Sequence, residues 1–249
     1  MPSPLPRSLA SALPSVSVSV SATETATASA SATMELFEAR REEGGPTHQS
    51  LAPGAMVLRA FAVQHEAALM VDLQKVIEQA PLRHMLTPGG FRMSVAMSNC
   101  GALGWVSDRR GYRYDALDPA SARRWPAMPA SFLALATEAA TRAGFAGFRP
   151  DACLVNRYQP GARLTLHQDR NERDFAQPIV SVSLGLPAMF LFGGTQRSDK
   201  TARVPLFHGD VVVWGGPARL RFHGVLALED GHHAATGGHR INLTFRCAG

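Results

Sequence analysis

Cysteine is scarce in this chain. Its three residues, Cys100, Cys153 and Cys247, stand too far apart to form a paired-thiolate metal motif or a redox pair. A reduced compartment suits such a sequence, and the cytoplasm is the expected location. No apolar run approaches the roughly 20 residues that cross a bilayer, so no membrane role is expected. A strong charge of either sign is also missing. Lys and Arg number 25 against 20 for Asp and Glu, a net +5 that gives a polyanionic partner only a mildly favourable field. No repeat of fixed period is present. Up to Thr33 there is no aromatic residue and no sustained apolar period, only Ser, Ala, Thr, Val and Pro in the main. Such a stretch cannot bury enough surface to fold and is expected to be a disordered leader. Pro14 and the many serines break the greasy core that a secretory signal needs. A single basic residue argues against a transit peptide, and Met34 offers itself as a second start.

The 249 residues, 45% of them hydrophobic, suffice for one sizeable core and point to one catalytic domain plus a tail. Folded structure is expected from Leu51. The segment 55–61 reads as a short strand, and Glu66 to Gln79 carries apolar residues at helical spacing. Pro129 to Ala143 reads as an amphipathic helix, opened by Pro129 and Ser131 and closed by Gly144. Beyond Gly147 come eight short runs with Gly or Pro between most of them: 152–158, 164–168, 179–186, 188–192, 203–207, 210–214, 219–225 and 240–246. This predicts an α+β, mainly β chain, a sandwich or jelly roll with its helices outside one sheet.

The sharpest local feature is His167-Gln168-Asp169. On a strand, alternate side chains share a face, so an imidazole and a carboxylate stand side by side. They make two-thirds of the two-histidine, one-carboxylate site that holds non-haem iron. A surface histidine beside a turn-forming aspartate is the bland alternative. For a third ligand, His208, His223, His232, His233 and His239 all lie downstream, and spacing does not choose among them. His223 sits in an alternating run that would hold it rigidly. His232 and His233 lie in a loop-like stretch, and His208 precedes a turn signal. In the last run Arg240, Asn242, Thr244 and Arg246 share one strand face, with Ile241, Leu243 and Phe245 on the other. Two guanidiniums and an amide facing one way form a receptor for carboxylates, unless that face is merely solvated.

Together these residues resemble the AlkB family of iron(II)- and 2-oxoglutarate-dependent nucleic-acid dealkylases. The likeness runs from about Met34 to Gly249. It is densest over Met93 to Gly101, Asn156-Arg157-Tyr158 through His167-Gln168-Asp169, Ile179 to Leu186, His208 to Gly216, and Arg240 to Gly249. The resemblance implies a double-stranded β-helix, with residues 34–147 as lid and helical part and 148–249 as jelly-roll core. It implies Fe(2+) held by His167, Asp169 and His223, with O2 as co-substrate, and 2-oxoglutarate held by Asn156, Tyr158, Arg240, Asn242 and Arg246. It further implies contacts to a damaged strand from Trp105, Tyr112, Arg113, Tyr114, Asn171 and Arg197. Trp105 has a physical case of its own, since a methylated adenine or cytosine ring is cationic and an aromatic face attracts it. Asn171 departs from the pattern, because the bacterial repair members carry an acidic residue there; an amide accepts a hydrogen bond but offers no charge. The activity implied is oxidative demethylation of bases of the 1-methyladenine and 3-methylcytosine type in DNA, single-stranded by expectation, by a monomer. The same chemistry on RNA or a small molecule, or a jelly-roll binding module without catalysis, are the alternatives.

Overall fold

The computed structural model describes residues 47–249; the low-complexity leader and Met34 lie outside them. The chain forms β1 (His48–Ala52), β2 (Ala55–Leu58), helix α1 (Glu66–Gln79), β3 (Arg83–Leu86), β4 (Arg92–Gly101), β5 (Gly104–Asp108), β6 (Gly111–Asp115) and helix α2 (Ala130–Arg142). There follow β7 (Ala152–Tyr158), β8 (Leu164–His167), β9 (Ile179–Gly185), β10 (Ala188–Phe192), β11 (Ala202–Leu206), β12 (Val211–Trp214), β13 (His223–Val225) and β14 (Arg240–Arg246). Eight strands form a major sheet in the order β1-β2-β12-β9-β14-β7-β4-β3, and four form a minor sheet in the order β11-β10-β13-β8. From β7 onward the chain passes back and forth between the two sheets, and the pairings are antiparallel. That is the jelly roll expected.

Alternation along the major sheet decides what each layer holds. Ile241, Leu243 and Phe245 of β14, Val180 and Val182 of β9, and Val211 and Val213 of β12 belong to a core shared with the helices. Leu69, Leu73 and Val76 of α1 are the residues that helix buries, spaced to share one stripe. The buried residues of α2 are Phe132, Leu135, Ala136, Ala139 and Ala140. A leucine buried as Leu135 is contributes on the order of 2–5 kcal/mol over alanine. Ser131 donates to Asp72 at 2.6 Å and ties the helices together. Gly144, at φ +89, ends α2 in the left-handed region where only glycine sits without strain. The opposite sheet face meets the minor sheet, with Ile179, Val212 and Trp214 packed among Phe190, Phe192, Val204 and Leu206. In this gap the polar face of β14 is enclosed: all seven of its residues are buried, so that face is not a solvated one.

Two differences from the sequence expectations bear on the site. The run 219–225 is a strand only over His223–Val225; Gly216–Ala218 forms a 3-10 turn, and Arg219 has helical backbone angles. The physical reason is the Arg219 side chain, which turns inward to the main-chain oxygens of Gln177 and Asp169 and to the buried Glu172 carboxylate. The segment 83–115 contributes four strands that apolar alternation did not reveal. In β4 six consecutive residues, Val95 to Cys100, are buried, so both faces are covered and no period of two is visible.

Candidate metal centre and its pocket

His167 ends β8 and His223 opens β13, and the antiparallel register sets them directly opposite each other. Their ring centroids lie 4.4 Å apart. Asp169, two residues past His167, brings its carboxylate to the same point, with Oδ1 3.6 Å from His167 Nε2 and Oδ2 3.9 Å from His223 Nε2. One potential ligand atom from each of the three lies within 4.8 Å of the others, an arrangement able to hold a metal ion. Among the described residues His208, His232, His233 and His239 are not part of such a group. His208 instead stacks on His233 at 4.4 Å.

The second ring nitrogens fix the tautomers. His167 Nδ1 lies 2.8 Å from Thr165 O and His223 Nδ1 3.1 Å from Arg221 O. A carbonyl accepts only, so Nδ1 carries the proton and Nε2 keeps its lone pair for the centre. Charge states agree with this. Burial, with His167 nearby, pushes His223 down to about 3, so its imidazole is neutral near neutrality. For Asp169 burial acts upward, but Arg246, then His223 and His167, overcome it and hold the carboxyl below its usual range. Neutral imidazoles and an ionised carboxylate are the forms a divalent cation binds.

Beside the triad a cavity of about 340 Å³ opens between the sheets. Arg240 is 1% exposed, donates through Nη2 to Ser183 Oγ at 2.9 Å, and lies 5.1 Å from the Tyr158 ring centre. Its Nε and Nη1 are buried without hydrogen-bond partners, as is Oδ1 of neighbouring Asn156. Leaving two guanidinium donors unpaired in a dry site is costly unless an anion is received there. Burial, opposed by Tyr158, lowers the Arg240 pKa. Asn242 is held by its amide on Ser181 Oγ at 2.8 Å and Val182 O at 2.9 Å. At the other end of β14, Arg246 donates to Asp169 Oδ2 through Nε at 2.9 Å and Nη2 at 2.7 Å. The residues fit a dicarboxylate that reaches a metal at one end and a buried arginine at the other.

The outer wall of the cavity is the β5–β6 hairpin. Trp105 and Tyr112 stack with centroids 5.6 Å apart and an interplanar angle of 15°. Trp105 Nε1 donates to Asn171 Oδ1 at 3.1 Å, and Asn171 Nδ2 lies 3.4 Å from Tyr112 O, so the amide is engaged with the aromatic pair. Arg197 also lines the cavity, its guanidinium 5.6 Å from the Phe222 ring. Arg113 and Tyr114 do not line it. Arg113 lies on the other strand face, paired with Asp108 at 3.0 Å and Asp115 at 3.5 Å. Tyr114 donates to Glu172 Oε1 at 2.7 Å. Glu172 and Arg219 escaped the sequence reading, because the one looks like a turn residue and the other like a surface cation.

The chain is similar to known proteins. The family model described as the 2OG-Fe(II) oxygenase superfamily matches residues 54–246. The alpha-ketoglutarate-dependent dioxygenase AlkB of Salmonella typhimurium strain LT2 is 56% identical over 203 residues, covering 82% of this chain and 94% of that protein. The protein of the same name from Escherichia coli K12 is 55% identical over 204 residues, with the same shares covered. Among solved structures, one described as the structure of OsALKBH1 superposes with a TM-score of 0.71 at 29% identity, covering 80% of this chain and 99% of its own.

Proposed function

The chain belongs to the AlkB family within the 2OG-Fe(II) oxygenase superfamily, and on that premise we propose that its cavity oxidatively removes alkyl groups from the ring nitrogens of DNA bases. It is an iron(II)- and 2-oxoglutarate-dependent dioxygenase acting on nucleic acid. The observation that carries the assignment to this cavity is the buried guanidinium of Arg240, with two nitrogen donors unpaired, behind a triad whose Asp169 is held ionised and whose His223 is held neutral.

In this reading His167, Asp169 and His223 hold the iron. Arg240, beside Tyr158, would pair with a carboxylate of 2-oxoglutarate, and Asn156, Asn242 and Arg246 would complete the pocket that holds it. Iron, 2-oxoglutarate and O2 together supply the power to hydroxylate a methyl C–H bond, with succinate and CO2 as the co-substrate's products. The protein positions the reactants and excludes water. The Asp169 and Arg246 pair keeps one carboxylate oxygen turned toward the triad. A target base must leave its stack to reach the cavity, which is cheapest for a lesion that already pairs poorly or lies in a single strand. Trp105 and Tyr112 offer π faces that attract a cationic methylated ring. The hydroxymethyl group then leaves the ring nitrogen as formaldehyde. Arg197 faces the incoming strand, and Arg113 and Tyr114 serve it by bracing the hairpin. A monomer acting on single-stranded DNA in the cytoplasm completes the reading, with 34–147 as lid and helical part and 148–249 as jelly-roll core of one domain.

The experiment is formaldehyde release from a single-stranded oligonucleotide carrying 1-methyladenine or 3-methylcytosine, with iron and 2-oxoglutarate added or withheld. Release only with both is the expected result. The matching RNA oligonucleotide forms a second arm, and faster turnover there would move the substrate from DNA to RNA.

A further inference from the structure

The turn that leaves the metal triad also fastens the substrate-facing hairpin. Asp169 begins it, Asn171 engages Trp105, and Glu172 ends it with a carboxylate that is almost wholly buried. Glu172 Oε1 accepts from the Tyr114 hydroxyl at 2.7 Å and lies 3.4 Å from Arg246 Nε. Its Oε2 accepts from Arg219 Nη2 at 3.0 Å. Both arginines return to Asp169: Arg219 Nη1 donates to its main-chain oxygen at 3.0 Å, and Arg246 grips its side chain. A closed ring results, running from the Asp169 main chain through Arg219, Glu172 and Arg246 back to the Asp169 carboxylate.

The charges in this ring balance, two guanidiniums against two carboxylates. A buried carboxylate is tolerated only where its oxygens are well bonded, and Glu172 meets that condition with three partners. One of the three belongs to the hairpin, which forms its own two-stranded sheet outside the other two. A nucleotide that shifts Trp105 or Tyr112 therefore pulls on Tyr114, and through it on the ring that sets Asp169.

Resting on the reading of this cavity as a metal and 2-oxoglutarate site, we infer that Glu172 is a positioning residue coupling the substrate hairpin to the metal carboxylate. It acts through Tyr114 on one side and through Arg219 and Arg246 on the other. Such coupling is reciprocal: occupation of the metal site tightens nucleic-acid binding by the factor by which nucleic acid tightens the metal site.

The test measures affinity for a short single-stranded oligonucleotide carrying 3-methylcytosine, by intrinsic tryptophan fluorescence, with and without Mn(2+) plus N-oxalylglycine, an inert stand-in for 2-oxoglutarate. The unaltered protein, Glu172→Gln and Tyr114→Phe are compared. Tyr114→Phe removes one hydroxyl and keeps the ring, so it remains informative even if the loss of a buried charge in Glu172→Gln prevents folding. In the unaltered protein the metal and analogue should tighten binding by about fivefold or more, and in the variants that gain should shrink below about twofold. A gain preserved in Tyr114→Phe overturns the inference, as does affinity that falls equally in both conditions, the mark of a merely structural role. Absence of any gain in the unaltered protein overturns it as well. Formaldehyde release by the unaltered protein is scored separately, so an inactive enzyme that still shows the gain defeats the functional reading and leaves the coupling standing.

Discussion

At the scale of single residues, the site divides into side chains that bind through charge and side chains that aim them. Arg240 is of the first kind. Replacing it with alanine should weaken 2-oxoglutarate by about 2–5 kcal/mol, the range for truncating a buried charged partner. Metal affinity should barely move, because Arg240 bonds to Ser183 and not to the triad. Asp169→Ala should do the opposite, abolishing turnover through loss of the metal; calorimetric titration with Mn(2+) and with 2-oxoglutarate separates the two. Asn171 bears on choice of lesion. Its amide is bonded within the aromatic pair and carries no charge toward the base. Asn171→Asp should raise the preference for cationic 1-methyladenine over neutral 3-methylthymine by about 1 kcal/mol, near fivefold, the modest size being that of a partly exposed charge. Equal turnover ratios in the two proteins would show that this position does not read charge. The arginines of β14 were legible because strand alternation is a local rule, and His167 and Asp169 because they stand two residues apart, although β8 ends at His167 and Asp169 lies beyond it. The choice of His223 over four other histidines was not, since it depends on a register between distant segments. Glu172 and Arg219 were invisible for the same reason: their meaning lies in partners far along the chain.

Elements carry the site through close approach as much as through side chains. β13 is three residues long and lies against β8, with Gly224 at its centre. A Cβ there would stand 2.7 Å from Leu164 O and 3.2 Å from Leu166 N, both main-chain atoms that cannot yield alone. Gly224→Ala must therefore push β13 away from β8 and draw His223 from His167. The expected cost is about 1–3 kcal/mol in stability, as for overpacking, together with weaker metal binding. Thermal unfolding and Mn(2+) titration check the two effects, and loss of stability with intact metal affinity would mean that the strain is relieved away from the triad. The strand and helix pattern was readable where one face is wet or where Gly and Pro mark the ends, as for α1 and for β7, β10 and β14. It failed at 219–225, where a buried cation bends the backbone, and across 92–101, where burial on both faces erases alternation.

At the scale of the whole molecule, a site built from buried titratable groups makes stability depend on pH. The metal-free protein keeps His223 buried and neutral, with its pKa lowered from 6.5 to about 3. Between those values the unfolded chain binds a proton that the folded chain refuses, so stability rises with pH through that window. The His223 contribution is intact above pH 6.5, declines as pH falls, and is fully lost below about 3. His239, lowered by partial burial and then by Arg157, adds in the same direction. Asp169 does not confuse the comparison, because a carboxyl held below its usual range gives up its contribution to stability only in stronger acid. Metal-free protein should thus be less stable at pH 5 than at pH 7, by on the order of 1–2 kcal/mol from His223. Denaturant midpoints at the two pH values measure the difference, and His223→Asn should shrink it because an amide does not titrate. An undiminished difference in the variant would assign the acid sensitivity to other groups and leave His223 as readily charged as a surface histidine, contrary to its enclosure between the sheets.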